Sequence, residues 1–288
     1  MSDKPLAVRV ERLSKTFRSL HRKHKALHEV SLEIADGEMV GLIGASGSGK
    51  STLLRHLTGL VAGDKDSGTI VVQGKKVQSG GRLAKDLRRV RQDIGFIFQH
   101  FNLVDRLSLL TNVMIGRLAT MPIWRSLTGI FTRDEKRMAM AVLSRVGIAD
   151  HAGQRAGTLS GGQQQRAAIT RAIIQGATLM LADEPIASLD PEASRKVMQT
   201  LRDVNRIDHT TVVVCLHQVE FAKRFCPRII GLKDGRIAFD GPPQDLDVAT
   251  LQDIYGSEAD DAGILDTTTA IPPTHPSHPL PNAAAMAG

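Results

Sequence analysis

Apolar and polar positions along the chain switch repeatedly between a period of two and a period of about three and a half. Residues 6–13 (LAVRVERL) and 28–34 (HEVSLEI) alternate as half-buried strands do, and Asp36-Gly37 is a turn signal. A fully apolar run, Met39 to Ile43, follows, and then Leu53, Leu54, Leu57 and Leu60 fall on one helical face. Residues 67–74 predict a strand bounded by glycines, 82–93 a basic helix, and Ile94 to Phe98 an apolar strand. From Phe101 to about Ala172 strand patterns vanish and helix formers dominate, with an amphipathic segment at 134–146. This stretch predicts a helical subdomain inserted between core strands. Its 116–127 portion is apolar enough to pack or to meet a partner. Strand patterns return at 178–182, 211–216 and 229–232, the first two separated by a helix over 191–205. Strands alternating with helices imply parallel βαβ units, so the fold class is α/β. Lys233-Asp234-Gly235-Arg236 reads as a hairpin turn.

The junction between the apolar run and the first helix carries the first chemistry. Gly44, Ala45, Ser46, Gly47, Ser48, Gly49, Lys50, Ser51 and Thr52 form the pattern G-x-x-x-x-G-K-[ST] in a strand–loop–helix setting. Glycines let backbone N–H groups curl around a polyphosphate, and the following helix N-terminus favours negative charge. Lys50 adds a movable point charge for the outer phosphates, and the Ser51 hydroxyl is a Mg²⁺ ligand of the right hardness.

Further candidates lie downstream. Ser160, Gly161, Gly162 and Gln163 open a helix; Ser160 and Gln163 fit a capping box, while the two glycines suit a phosphate approaching bare backbone. The apolar strand 179–182 ends in Asp183 and Glu184, where ligands bind in open α/β sheets. Asp183 suits Mg²⁺ held through water, and Glu184 suits an attacking water; the alternative is a solvated turn. Asp190 before Pro191 reads as a helix cap, His217 closes an apolar strand, and Phe17 is either a purine platform or a core residue.

Length and composition narrow the class. The 288 residues are 42% hydrophobic and 23% charged, enough for a large core, with no run long enough for a membrane span and no signal-peptide core. A cytosolic chain is the expectation. Two cysteines, Cys215 and Cys226, make neither a disulfide framework nor a zinc site and read as packing residues. The net charge of +7 favours anionic partners, yet aromatics are sparse around the basic runs at 18–25 and 82–91, which argues against nucleic acid. Beyond residue 256 the Thr, Pro, Ala and His-rich composition predicts a disordered tail, 257–288.

Taken together and in order, these motifs resemble the nucleotide-binding subunit of ABC transporters over residues 6–256. The resemblance implies a P-loop ATPase core with a parallel sheet, an antiparallel β subdomain and a helical signature subdomain at about 101–172. It makes Phe17 the adenine-stacking residue, usually a tyrosine, and Gln99 the glutamine near Mg²⁺ and the attacking water. Residues 159–163 match the family signature, Asp183 and Glu184 its acidic pair, Asp190 its D-loop residue, and His217 its γ-phosphate contact. ATP and Mg²⁺ are the implied ligands, and Ser51, Gln99 and Asp183 the implied metal residues. A head-to-tail second copy, membrane permease subunits and, indirectly, a periplasmic binding protein are the implied partners, at the cytoplasmic face of an inner membrane. The stretches 96–108, 112–118, 124–131 and 184–190 are most similar to the phosphonate-import branch. Other readings are an ABC ATPase for phosphate, amino acid or lipoprotein release, a soluble ABC ATPase, and a P-loop kinase or GTPase. The last lacks the signature. The basic insertion at 19–27 and the tail carry no assigned role.

Overall fold

The computed structural model describes residues 5–19 and 22–256; the tail expected to be disordered, 257–288, lies outside the described residues. In chain order the elements are β1 (Leu6–Ser19), β2 (Arg22–Ala35), β3 (Met39–Ile43), α1 (Lys50–Leu57), β4 (Thr69–Val72), β5 (Lys75–Ser79), β6 (Arg82–Leu83), α2 (Leu87–Gln92) and β7 (Ile94–Ile97). The helical region follows with α3 (Leu109–Met114), α4 (Ile123–Thr128), α5 (Arg133–Arg145) and α6 (Gly161–Gln175). The chain then returns through β8 (Leu179–Asp183), α7 (Pro191–Asp208), β9 (Thr211–Cys215), α8 (Val219–Phe225), β10 (Arg228–Lys233), β11 (Arg236–Gly241) and α9 (Val248–Tyr255).

Two sheets divide the strands. The order β11-β10-β3-β9-β8-β7 is parallel except for the edge strand β11, and β2-β1-β4-β5-β6 is antiparallel throughout. The central parallel strands are buried on both faces, which is why they read as unbroken apolar runs. In β9, Val212 and Val214 join the core under α6, α7 and α8, while Val213 and Cys215 face the core shared with the antiparallel sheet. Burial accordingly pushes the Cys215 thiol up, and that of Cys226 up to about 12, so both cysteines are inert packing residues. A third core, built from Leu109, Val113, Leu143, Leu159 and Ala167, holds the helical region together.

Several expected elements differ in extent. The first two strands are each 14 residues long, because they form one hairpin whose far end carries the basic insertion. Polar residues on both faces of that end hide its alternation. The basic stretch 82–93 is not one helix: it is β6, a turn and the short α2. Residues 67–74 contribute the four-residue β4, since Gly68 is pressed against the Glu11 carbonyl and Gln73-Gly74 turns the chain into β5. In the region 101–172 no named strand occurs among the described residues, as expected. In the apolar stretch 116–127, Gly116 and Met121 are buried, while α4 leaves Ile123, Trp124 and Leu127 at 71%, 61% and 84% exposure, so only its first half packs among the described residues.

The β10–β11 turn ties the sheets to the phosphate-loop region. Asp234 and Gly235 both have positive φ, 45° and 73°, as a two-residue hairpin with the sheet's twist requires. The Gly235 N–H donates to the Ser48 carbonyl at 3.0 Å, and its carbonyl accepts from the His28 N–H at 2.8 Å. A Cβ at Gly235 would lie 2.5 Å from the Ala26 carbonyl oxygen. Gly235→Val should therefore lower the unfolding free energy by about 1–3 kcal/mol in urea titrations. A loss below about 0.5 kcal/mol, the range of a bland surface change, would show that this turn is not a latch.

Candidate functional site

The carboxyl ends of β3, β8 and β9 lie side by side, and the loop 46–49 after β3, Glu184 after β8 and His217 after β9 meet there. The loop 44–49 leaves β3 and enters α1 through Gly49, whose φ of 107° requires glycine. The Lys50 ammonium folds back over this loop, donating to the carbonyls of Gly44 at 2.7 Å and Ala45 at 3.0 Å. The side chain is thus held over the cradle that its own backbone forms.

One residue on, the Ser51 hydroxyl donates to Asp183 Oδ1 at 2.7 Å across the gap to β8. Burial, and the neighbouring Glu184 carboxylate, raise the Asp183 carboxyl above its ordinary 3.8 despite that hydrogen bond. A hydroxyl and a desolvated carboxylate facing each other, with a second carboxylate beside them, are a hard-oxygen donor set. These residues fit Mg²⁺. Gln99, the third expected metal residue, is exposed just beyond β7 and is not brought to the cleft.

Glu184 adopts φ 51°, a costly conformation for a non-glycine residue that turns its side chain back toward the loop. Its Oε1 accepts from His217 Nε2 at 2.6 Å, and that bond, more than any other influence, holds the Glu184 carboxyl below its ordinary 4.5. Since the folded value is depressed, this ionisation stabilises the fold above pH 4.5, and the gain is lost as pH falls through the folded value. The sole tyrosine, Tyr255 of α9, bridges the two halves: its hydroxyl accepts from the Gly44 N–H and donates to the His217 carbonyl, each at 3.3 Å.

Lys50, Ser51, Glu184 and His217 line a cleft of about 260 Å³, together with the rest of residues 46–52 and, at its far end, Phe17, His24 and Ala26; Asp183 and Tyr255 lie behind this lining. Phe17 is 44% exposed, so it is not a core residue and its ring is open to the cleft. His24, Ala26 and Tyr255 were not readable as site residues. Tyr255 lies 211 positions from Gly44, and His24 looks like one member of a basic run.

The second motif lies elsewhere. Ser160, exposed, caps α6: its Oγ accepts from the Gln163 N–H at 3.4 Å, and Gln163 Oε1 accepts from the Ser160 N–H at 2.9 Å. The capping box is real. A Cβ on Gly161 or Gly162 would lie 2.9 Å from Leu189 or 2.8 Å from Ala193, so close packing on the start of α7 is one reason for these glycines. Asp190 caps α7 by accepting from the Glu192 and Ala193 N–H groups at 3.0 and 2.9 Å. None of Ser160, Gly161, Gly162, Gln163 or Asp190 lines the cleft.

The raised Asp183 carboxyl sets a signed expectation. Ionising it costs stability, fully above its folded value and not at all below 3.8. Asp183→Asn should raise the melting temperature of the protein alone by a few degrees at pH 8, an advantage that fades toward pH 4, while the Mg²⁺ dependence of nucleotide binding is lost. An equal or lower melting temperature at pH 8 would contradict the reading of a carboxylate held against its desolvation cost.

Comparison with known proteins agrees with this geometry. The ABC transporter family model matches residues 27–187. The phosphonates import ATP-binding protein PhnC 1 of Cupriavidus metallidurans is 57% identical over 255 residues, covering 88% of this chain and 89% of the relative. The corresponding protein of Paraburkholderia xenovorans is 52% identical over 98% of this chain and 94% of its own length. Among solved structures, the dimeric bacterial ABC transporter cassette MJ0796 is 34% identical with a TM-score of 0.71, over 82% of this chain and 98% of the cassette. The same cassette in a dimeric post-hydrolysis state bound to ADP and Pi gives a TM-score of 0.69 at 34% identity, over 82% and 98% of the two chains. With a phosphate loop, an acidic strand end and a signature helix in one ABC-type frame, the chain belongs to the ABC transporter ATP-binding family.

Proposed function

We propose that this chain is the ATP-hydrolysing subunit of an importer of phosphonates. The observation that carries the hydrolytic part is the convergence of Lys50, Ser51, Glu184 and His217 on one cleft, with Asp183 hydrogen-bonded to Ser51 behind its lining. The cargo assignment rests on the PhnC relatives, which cover nearly the whole described chain.

In this reading the amides of residues 46–51 and the Lys50 ammonium hold the β- and γ-phosphates. Ser51 and Asp183 hold Mg²⁺, which when bound neutralises phosphate charge. Glu184, whose carboxyl the His217 hydrogen bond holds below its ordinary value, orients the attacking water and accepts its proton. His217 stabilises charge on the γ-phosphate, and to reach it gives up or shares its 2.6 Å bond to Glu184. Gln99 moves toward the water only when the segment after β7 shifts, a natural point of coupling to another subunit.

Ser160, Gly161, Gly162, Gln163 and Asp190 lie off the cleft, so they act on a nucleotide held by a second copy, arranged head to tail. The dimeric cassettes of similar fold support this assembly. Among the described residues no helix is long and apolar enough to cross a membrane, so transport requires integral permease subunits, with a periplasmic binding protein presenting the cargo. The exposed apolar face of α4 suits contact with a membrane partner, at the cytoplasmic side of the inner membrane.

Deleting the gene should abolish growth on an alkylphosphonate as sole phosphorus source, and the wild-type chain should restore it. Glu184→Gln should fail to restore growth, yet bind ATP and migrate as a dimer in gel filtration. Restoration by Glu184→Gln would contradict the role of that carboxylate; unimpaired growth of the deletion strain would contradict the cargo.

A further inference from the structure

The nucleoside end of the cleft contains a residue with no assigned role. The first hairpin projects past the phosphate loop, and its strands pair in regular register from Thr16↔Lys25 through Phe17↔His24 to Arg18↔Lys23. Directly opposed residues of an antiparallel pair share a face, with Cα atoms about 4.5–5.5 Å apart. Phe17 and His24 therefore stand side by side on one surface, and both line the cleft. Alternation turns Lys23, Lys25 and Arg18 to the other face, and none of them lines it. Of the described residues in the basic run, the imidazole of His24 alone is delivered to the site.

Distance along the strand says which part of a ligand it meets. Ala26, two residues nearer the loop, is the extra residue where the register shifts between Lys15↔Leu27 and Thr16↔Lys25, and it also lines the cleft; its carbonyl lies against Gly49, where a Cβ would come within 2.7 Å of it. His24 is one strand repeat of about 6.6 Å beyond that contact, level with Phe17 and away from Lys50. A triphosphate seated on the loop thus places its nucleoside, not its outer phosphates, beside the ring. Phe17 offers a stacking face and no hydrogen bond, whereas imidazole offers a flat ring with a donor and an acceptor.

We propose that His24 is the polar half of a two-ring nucleoside shelf, hydrogen-bonding a ribose hydroxyl or the base edge of the ATP that stacks on Phe17. The inference rests on the reading of the cleft as an ATP site. His24 is exposed, so replacing it leaves the core intact.

The test is equilibrium binding to the purified full chain with Mg²⁺, using displacement of a fluorescent ATP analogue by ATP and, separately, by inorganic tripolyphosphate. Phe17→Ala and His24→Ala should each weaken ATP by roughly three- to tenfold, the value of one modest contact. His24→Gln, which keeps a donor and an acceptor, should recover most of the loss. Tripolyphosphate, lacking a nucleoside, should bind wild type and His24→Ala alike. If Phe17→Ala weakens ATP while His24→Ala stays within twofold, His24 is no part of the shelf although the site stands. An equal loss for ATP and tripolyphosphate would make His24 a phosphate-side charge and overturn the nucleoside contact. If neither Phe17→Ala nor His24→Ala weakens ATP, the reading of the cleft itself fails.

Discussion

A single hydrogen bond, from Ser51 to Asp183, joins two parts of the chain 132 positions apart. It forms only because β3 and β8 run parallel with β9 between them, so their carboxyl ends reach the same level. The strands are parallel because helices carry each crossover back to the starting edge. Their two-sided burial then locks the register, since a one-residue slip would exchange the side chains of two separate cores. The phosphate loop, the acidic pair and His217 are consequences of that register. They also work against it, because Asp183 is desolvated and Glu184 is held in a left-handed conformation. A site that weakens its own scaffold in this way is ordinary where charge must later be met by a ligand.

The parallel core was legible because buried strands leave runs such as TVVVC and LMLA that no amphipathic helix would show. Residues 44–52 were legible for a different reason: backbone wrapping of a phosphate demands glycine at fixed spacing, and little else satisfies it. The hairpin of β1 and β2 was half visible, since its far end alternates between polar residues of similar character. Tyr255 was invisible. A lone tyrosine near the end of the described chain gives no hint that its hydroxyl joins Gly44 to His217. Gln99 shows the converse limit, where a motif names a residue whose side chain the fold leaves outside the cleft.

The signature segment carries two demands at once. As a helix start it needs Ser160 and Gln163 to satisfy orphan N–H groups, and as a packing surface it needs Gly161 and Gly162 against Leu189 and Ala193. Neither demand explains why Ser160 is left exposed. The proposed contact with a phosphate held by a second copy would account for it. The same logic separates a transporter ATPase from a P-loop kinase, which finishes its site within one chain. A stand-alone soluble ABC machine would have less use for the bare apolar face of α4.

The proposed sharing of each site between two copies makes a quantitative demand on assembly, and mixing two dead variants probes it. Lys50→Ala removes the cradle's charge and Ser160→Arg blocks the capping surface, so each homodimer should be inactive. A verified one-to-one heterodimer keeps one cleft with both surfaces intact, and it should recover a clear fraction of wild-type ATP hydrolysis, up to about half if the two sites turn over independently. Heterodimers as inactive as the parent homodimers would contradict a site completed by a second copy.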